Sequence, residues 1–448
     1  MTIVGGGSNQ WAPKLVTDLL AVPALADMEL VLEDLDAERV ERIGAYARLA
    51  NEAMGTKAVV TTTTDQRRAL TGADFVVVTI STGGFESMAV DLEVPERHGI
   101  VQSVGDTVGP GGISRSLRNV PVLVGIARDM EQCCPEAWML NITNPMTCLT
   151  RAVRRETSVK AVGLCHEVGH ACMDLAIALG KPHDVVRPVV AGVNHFPVVT
   201  SLDVDGADGL RLLAGLLDDL GGVDEVRRGI EAGAAHEPFS VEDFAARNVL
   251  KLALLERDGV LPAAGDRHLA EFLPSVLTER SGWGRTWGID PTPISRRVEH
   301  EAEYLAEVED VLGGRAELAT WDSGELVAPV IDSLLTGARR ELPLNIPNAG
   351  QCADLPGGVV VESMCVVDDE GIRGRDVVTL PAPVAELVRR HVAVQELTVE
   401  AAVTGDRRLV RAALGLDALA GRGDLGDIDA MADELLEGTS RWLPQFAS

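Results

Sequence analysis

Thr2-Ile3-Val4-Gly5-Gly6-Gly7-Ser8 opens the chain with a short β-branched run that breaks on three glycines. Residues 10–22 then read as a helix. Glycine permits a tight turn after a strand and lets the backbone approach a pyrophosphate. The free N–H groups of the following helix face such a phosphate. A full dinucleotide fingerprint has a third glycine three residues after Gly7, where this chain has Gln10. Support comes from the next strand, Glu29-Leu30-Val31-Leu32, which runs into Glu33-Asp34. An acidic residue there accepts hydrogen bonds from an adenosine ribose and disfavours a 2′-phosphate. Asp34 is the first choice, with Glu33 and Asp36 as alternatives.

Working outward, Ala37 to Ala53 reads as a helix, and Lys57 to Thr61 and Phe75 to Ile80 as strands. Asn119 to Cys133 suits a helix; Ala137 to Ile142 and Val159 to Leu164 suit strands. Strands alternating with helices predict a parallel sheet with crossover connections. Beyond residue 170, long Ala/Leu/Glu-rich stretches at 208–233, 241–258, 297–312, 323–338 and 383–419 predict helices. Val198 to Val204 and Val359 to Val367 are further strands. The expected fold is α/β: a Rossmann-like parallel-sheet domain over 1–165, then a mixed, helix-rich catalytic and oligomerisation domain over 166–448.

The 448 residues carry 40 basic and 68 acidic side chains, a formal net charge of −28. Such a surface repels nucleic acid and anionic membranes. No apolar run reaches the ~18 residues of a membrane span, and no signal peptide is seen. The seven cysteines are odd in number and scattered, which reads as reduced thiols and a cytoplasmic location.

Further stretches add to the glycine turn: Val104-Gly105-Asp106-Thr107-Val108-Gly109-Pro110-Gly111-Gly112-Ile113, Leu117-Arg118-Asn119-Val120-Pro121 and Asn141-Ile142-Thr143-Asn144-Pro145-Met146. Later come Gly163-Leu164-Cys165-His166-Glu167-Val168, Gly192-Val193-Asn194-His195-Phe196, Gly265-Asp266-Arg267-His268 and Asn345-Ile346-Pro347-Asn348-Ala349-Gly350. Together, in this order over most of the chain, they resemble glycoside hydrolase family 4, the NAD-dependent exception to two-carboxylate glycoside hydrolysis. Cys165-His166-Glu167-Val168 resembles the signature of its α-galacturonidase branch. The resemblance implies an α-glycosidase with NAD and Mn²⁺ as cofactors, a galacturonide-type oligosaccharide as substrate and a homodimer or homotetramer as assembly.

Expected cofactor contacts are Gly5, Gly7, Ser8, Asn9, Asp34, Thr79 and Asn144. Cys165 and His195 are the expected metal ligands, a thiolate and an imidazole at adjacent strand ends with positions left open for substrate. The implied reaction oxidises the sugar at C3 and so makes the C2 proton removable. The C1 substituent is then eliminated, and water and hydride are added back. Relatives use a tyrosine as base, but Tyr46 and Tyr304 lie outside the matching motifs. Asp266 takes that role by resemblance, the alternative being that it caps a helix. His166, ahead of Glu167, is the expected acid. A substrate carboxylate calls for an arginine. The candidates are Arg115 and Arg118 first, then Arg267, Arg285, Arg296 and Arg297, with Asn144 and Asn194 also facing substrate. Val108 to Gly112 reads as a mobile loop beside the nicotinamide. Histidines 98, 170, 183, 236, 300 and 391 read as structural. An α-glucuronide or α-galactoside substrate, a 2-hydroxy-acid dehydrogenase and a non-catalytic NAD sensor are the competing readings.

Overall fold

A computed structural model describes residues 1–320 and 323–447. Six strands build its parallel half: β1 (Thr2–Val4), β2 (Glu29–Glu33), β3 (Val59–Thr63), β4 (Phe75–Val78), β5 (Trp138–Asn141) and β6 (Lys160–Leu164). They lie side by side as β3-β2-β1-β4-β5-β6, and every neighbouring pair is parallel. This is the dinucleotide-binding order, whose ligand crevice opens at the carboxyl ends of β1 and β4, where the winding reverses. The predicted α/β class and parallel sheet are therefore what the chain adopts.

The sheet does not stop at β6. It continues through β7 (Val186–Val193), β8 (Phe196–Val204), β9 (Ala207–Asp208), β10 (Leu261–Pro262), β11 (Arg340–Pro347), β12 (Val360–Asp368) and β13 (Gly371–Gly374), all antiparallel pairings. The seam is β11, which pairs antiparallel with β6 through Leu344↔Leu164 and Asn345↔Gly163. Backbone hydrogen bonds thus fix the motifs of the later part against the carboxyl ends of the parallel strands. Buried valine, leucine and isoleucine cover both faces of the sheet, with a third core under β7 and β8.

Three expectations change. The loop read at Val108 to Gly112 is buried, and the helix begun at Asn119 starts ten residues earlier, spanning Gly109–Cys133. Packing explains this: a Cβ on Gly112 would lie 2.5 Å from the Thr107 carbonyl carbon, so only glycine lets the first turn fit. Each of the long stretches 208–233, 241–258 and 383–419 is two helices: Gly209–Asp219 with Val223–Glu231, Val241–Arg247 with Val249–Asp258, and Ala382–Thr404 with Arg407–Leu416. Gly405, at φ 73°, ends the helix at Thr404. Among the described residues no helix is long and apolar enough to cross a membrane.

Candidate functional site

The glycine turn lies where the winding reverses. Gly5 has φ 84°, and a Cβ there would meet the Thr79 carbonyl oxygen at 1.9 Å. Thr79 therefore contributes its backbone, as the wall against which the turn closes. The Gly7 N–H donates to Asp34 Oδ2 at 3.1 Å. Ser8 Oγ accepts from the Trp11 N–H and starts the helix Ala12–Leu20, while Asn9 Nδ2 donates to Glu301. Glu33, the alternative acid, is buried, and burial, with Asp34 and Asp65 next, raises its pKa to about 7. Asp34 is the acid at the turn itself.

Asn194 and His195 form the two-residue connection between β7 and β8, whose last pair is Val193↔Phe196. His195 sits at φ 64°, in the left-handed region that non-glycine residues rarely occupy and that costs of order 1 kcal/mol. The imidazole is fixed from behind. Thr107 donates to Asp106 Oδ1 at 2.7 Å, so its single proton is used. The 2.7 Å contact to His195 Nδ1 is then a bond donated by the imidazole, leaving Nε2 as a free lone pair. Burial, and then His268, push the His195 pKa down to about 3, so the ring is neutral, as a metal ligand must be.

Around it stand Asp106 and His268. Ligand atoms of these three residues lie within 4.8 Å of one another, and the two imidazole centroids are 3.8 Å apart. Burial would raise the Asp106 pKa, but His268, His195 and Arg115 hold it below the usual carboxylate range. The loop that carries Asp106 is clamped by Glu271 Oε1, which accepts from the Val104 and Gly105 N–H groups at 2.7 and 2.8 Å. Arg115 Nε donates to the Asn144 carbonyl and Nη2 contacts Ser81 Oγ; Nη1 is buried without a partner among the described residues. The Oδ1 atoms of Asn144 and Asn194 and the Nδ1 of His268 are equally buried and unpaired. Such groups cost 1–3 kcal/mol each unless something pairs them, which marks this cleft as built to receive polar ligands.

Cys165 directly follows β6 and joins the same region through its neighbours. Asn194, in the turn that carries His195, donates its Nδ2 to the Glu362 carboxylate at 3.2 Å, and Glu362 acts electrostatically on the Cys165 thiol. Burial, with Glu362 and Glu167 behind it, pushes the thiol pKa well up, so holding a cation there requires release of its proton. Among the described residues the group of ligand atoms around His195 is completed by Asp106 and His268, not by Cys165.

His166 and Glu167 follow Cys165 at the start of the helix Glu167–Ala178. Burial works against the imidazolium of His166, but Glu325, 2.8 Å from Nδ1, overcomes it and raises the pKa. Burial of Glu167 is outweighed by His268, His195 and the Gly265 N–H, which donates to Oε2 at 2.5 Å; its pKa falls to about 2.

Not every expected residue meets this cluster. Both oxygens of Asp266 are turned onto the N-terminus of the helix Val249–Asp258, accepting from Leu250 at 2.6 Å and Lys251 at 3.2 Å. Arg118 is fully buried in a bidentate pair with Asp91 and also donates to Thr82 and Ser114, so four of its five N–H donors are used and its charge is already paired. Arg285 is an exposed side chain beside Asp290. Arg267 and Arg297 bind the carbonyls of Ser103 and Val104, backing the Asp106 loop from outside; Arg296 pairs with Glu299 and Glu303 on the surface. Asp106, Thr107 and His268 lay in quoted motifs without an assigned role. Glu271, Glu325 and Glu362 carried no local signal.

Residues 1–181 match the model of the family 4 glycosyl hydrolases, and residues 190–420 match that family's C-terminal domain. An α-galacturonidase of Bacillus subtilis is 34% identical over 97% of this chain and 96% of its own. An α-galactosidase of the same species is 31% identical over 100% and 99%. A solved 6-phospho-alpha-glucosidase from gut microorganisms, in complex with NAD and Mn²⁺, superposes with a TM-score of 0.81 at 20% identity, covering 99% of this chain and 98% of that one. At that identity the likeness is one of fold.

Proposed function

Because the chain belongs to the family 4 glycosyl hydrolases, a glycosidase family, we propose that it is an NAD- and Mn²⁺-dependent α-galacturonidase. The observation that carries this reading is the meeting of His195, Asp106 and His268 beside a Rossmann-order crevice, among buried polar atoms that lack partners. The residues fit both cofactors. Gly5 to Gly7 give the backbone its close approach, Asp34 stands where a ribose is received, and Asn9 and Asn144 offer unpaired carbonyl oxygens. The free Nε2 of His195 and the ionised Asp106 offer one nitrogen and one oxygen ligand, with Cys165 behind Asn194. The chemistry these groups would supply is hydride acceptance and return at C3 by NAD and Lewis-acid polarisation of the C3 oxygen by Mn²⁺, so that the C2 proton beside the transient ketone becomes removable.

The chain's own groups divide the rest. His166, its proton held in readiness by Glu325, donates to the leaving oxygen at C1. His268 takes the C2 proton: its ring lies against His195, and its Nδ1 is buried without a hydrogen-bond partner among the described residues, 3.8 Å from Asp106. Arg115, with Nη1 unpaired, is the partner for a carboxylate at C6, and this favours a galacturonide over a galactoside. Water addition and hydride return complete hydrolysis with no net redox change.

The test is an aryl α-galacturonide, with an aryl α-galactoside beside it, supplied with NAD and Mn²⁺ under reducing conditions. Aglycone release without net NADH, and deuterium at C2 of product formed in deuterated water, are expected. Steady NADH formation without aglycone release refutes the proposal; faster release from the galactoside moves the assignment to an α-galactosidase.

A further inference from the structure

One group of side chains beside this cleft has ligand chemistry of its own. His166-Glu167-Val168-Gly169-His170 places two histidines four residues apart around a helix N-terminus, with a glutamate directly after the first. At that spacing both imidazoles project from one face, the arrangement by which helices hold zinc. The structure realises it. The two rings lie 4.5 Å apart, His166 Nε2 is 3.7 Å from Glu167 Oε1, and one ligand atom from each of the three residues lies within 4.8 Å of the others. Ligands around a tetrahedral zinc with bonds of about 2.0–2.1 Å sit about 3.4 Å apart, so a small closure of the side chains completes the site. His166 is already set for it: Nδ1 lies 2.8 Å from the buried Glu325, which fixes the ring and leaves Nε2 to bind. None of these residues belongs to the His195 group.

We propose that His166, Glu167 and His170, with Glu325 orienting His166, form a second divalent-cation site that takes zinc. Two imidazoles, one carboxylate and an open fourth position suit zinc, and such a site binds Zn²⁺ more tightly than Mn²⁺. The net charge of −28 raises the local concentration of any cation. Zinc there occupies the lone pair of His166 and an oxygen of Glu167. It therefore inhibits cleavage even where the ion at His195 stays in place; this consequence rests on the reading of His166 as proton donor.

The experiment uses the full chain, with Mn²⁺ preloaded into wild type and His170→Ala. Zn²⁺ is titrated calorimetrically into wild type, His170→Ala and His195→Ala, and Co²⁺ replaces Zn²⁺ for visible absorption spectra. Wild type should show a zinc-binding component that His195→Ala retains and that is about tenfold or more weaker in His170→Ala, with loss of the corresponding four-coordinate cobalt bands. His170 lies outside the reaction, so His170→Ala keeps its turnover and resists inhibition by zinc. Equal zinc affinity and equal cobalt spectra in wild type and His170→Ala overturn the site. Binding reads the site without turnover: if zinc binds as expected but slows wild type no more than His170→Ala, the site stands and the role given to His166 falls.

Discussion

Asp266→Asn separates a helix cap from a catalytic base. The Asp266 carboxyl is buried, and that burial, opposed by Lys251 and by the amides of Leu250 and Lys251, raises its pKa from 3.8 to about 6. A carboxyl raised on folding contributes stability that is fully present below its unfolded pKa and is lost as pH rises through the folded value. The whole difference is worth about 3 kcal/mol, of which about 1.4 kcal/mol falls between pH 5 and 7.5. An amide does not titrate, so the stability of wild type minus that of Asp266→Asn should fall by about 1.4 kcal/mol over that interval. The offset at any single pH also contains the altered hydrogen bonds to Leu250 and Lys251, whereas the slope isolates the ionisation. Urea unfolding of both proteins at the two pH values measures it, with m-values as the check on comparable transitions. Turnover should stay within about tenfold of wild type, because both oxygens serve the helix Val249–Asp258. A general base contributes about 10²–10⁴-fold. A loss of that size with no difference in the pH slope would refute the reasoning and restore Asp266 as the base.

Other perturbations probe other parts of the site. Arg115→Met should cut kcat/KM for an aryl α-galacturonide by roughly 10–100-fold, the worth of a charge-assisted hydrogen bond, while leaving an α-galactoside nearly unchanged; steady-state kinetics on the two substrates reads the difference. His195→Ala should abolish Mn²⁺ binding, and Asp106→Asn should weaken it more than Cys165→Ser does; calorimetric titration of the metal-free protein ranks the three. Arg118→Met leaves Asp91 charged and buried, and should cost about 3–5 kcal/mol of stability, read as a lowered Tm. Gly5→Ala drives a Cβ onto the Thr79 carbonyl in a left-handed backbone. It should lose NAD binding, measured by fluorescence titration, before any loss of metal binding.

The parts of this molecule that could be read in the sequence are those whose cause is local. Strand propensity followed by Gly5-Gly6-Gly7, and a second strand ending in Glu33-Asp34, depend on residues within a few positions of each other, and the parallel half follows from them. β11 escaped notice because Pro343 and Pro347 interrupt its apolar run; β12 on one side and β6 on the other make it a strand. The two-helix form of 383–419 was hidden for the opposite reason, since both halves carry good helical spacing and only Gly405 divides them. The site divides along the same line. His195 lies in a short motif and Arg115 just after one, so both could be singled out, but what makes each useful comes from afar. Thr107, 88 positions away in the chain, fixes the tautomer of His195; Glu325 orients His166; the amide groups around Leu250 hold Asp266. Arg118 shows the cost of reading side-chain type without its partner: a buried arginine next to a glycine-rich segment suits an anionic substrate until Asp91 is placed against it. Pattern names the donors and acceptors, whereas the fold decides which are already satisfied, and only the unsatisfied ones remain for substrate. On that ground the proposed reaction keeps Arg115 and His268 and gives no part to Arg118 and Asp266.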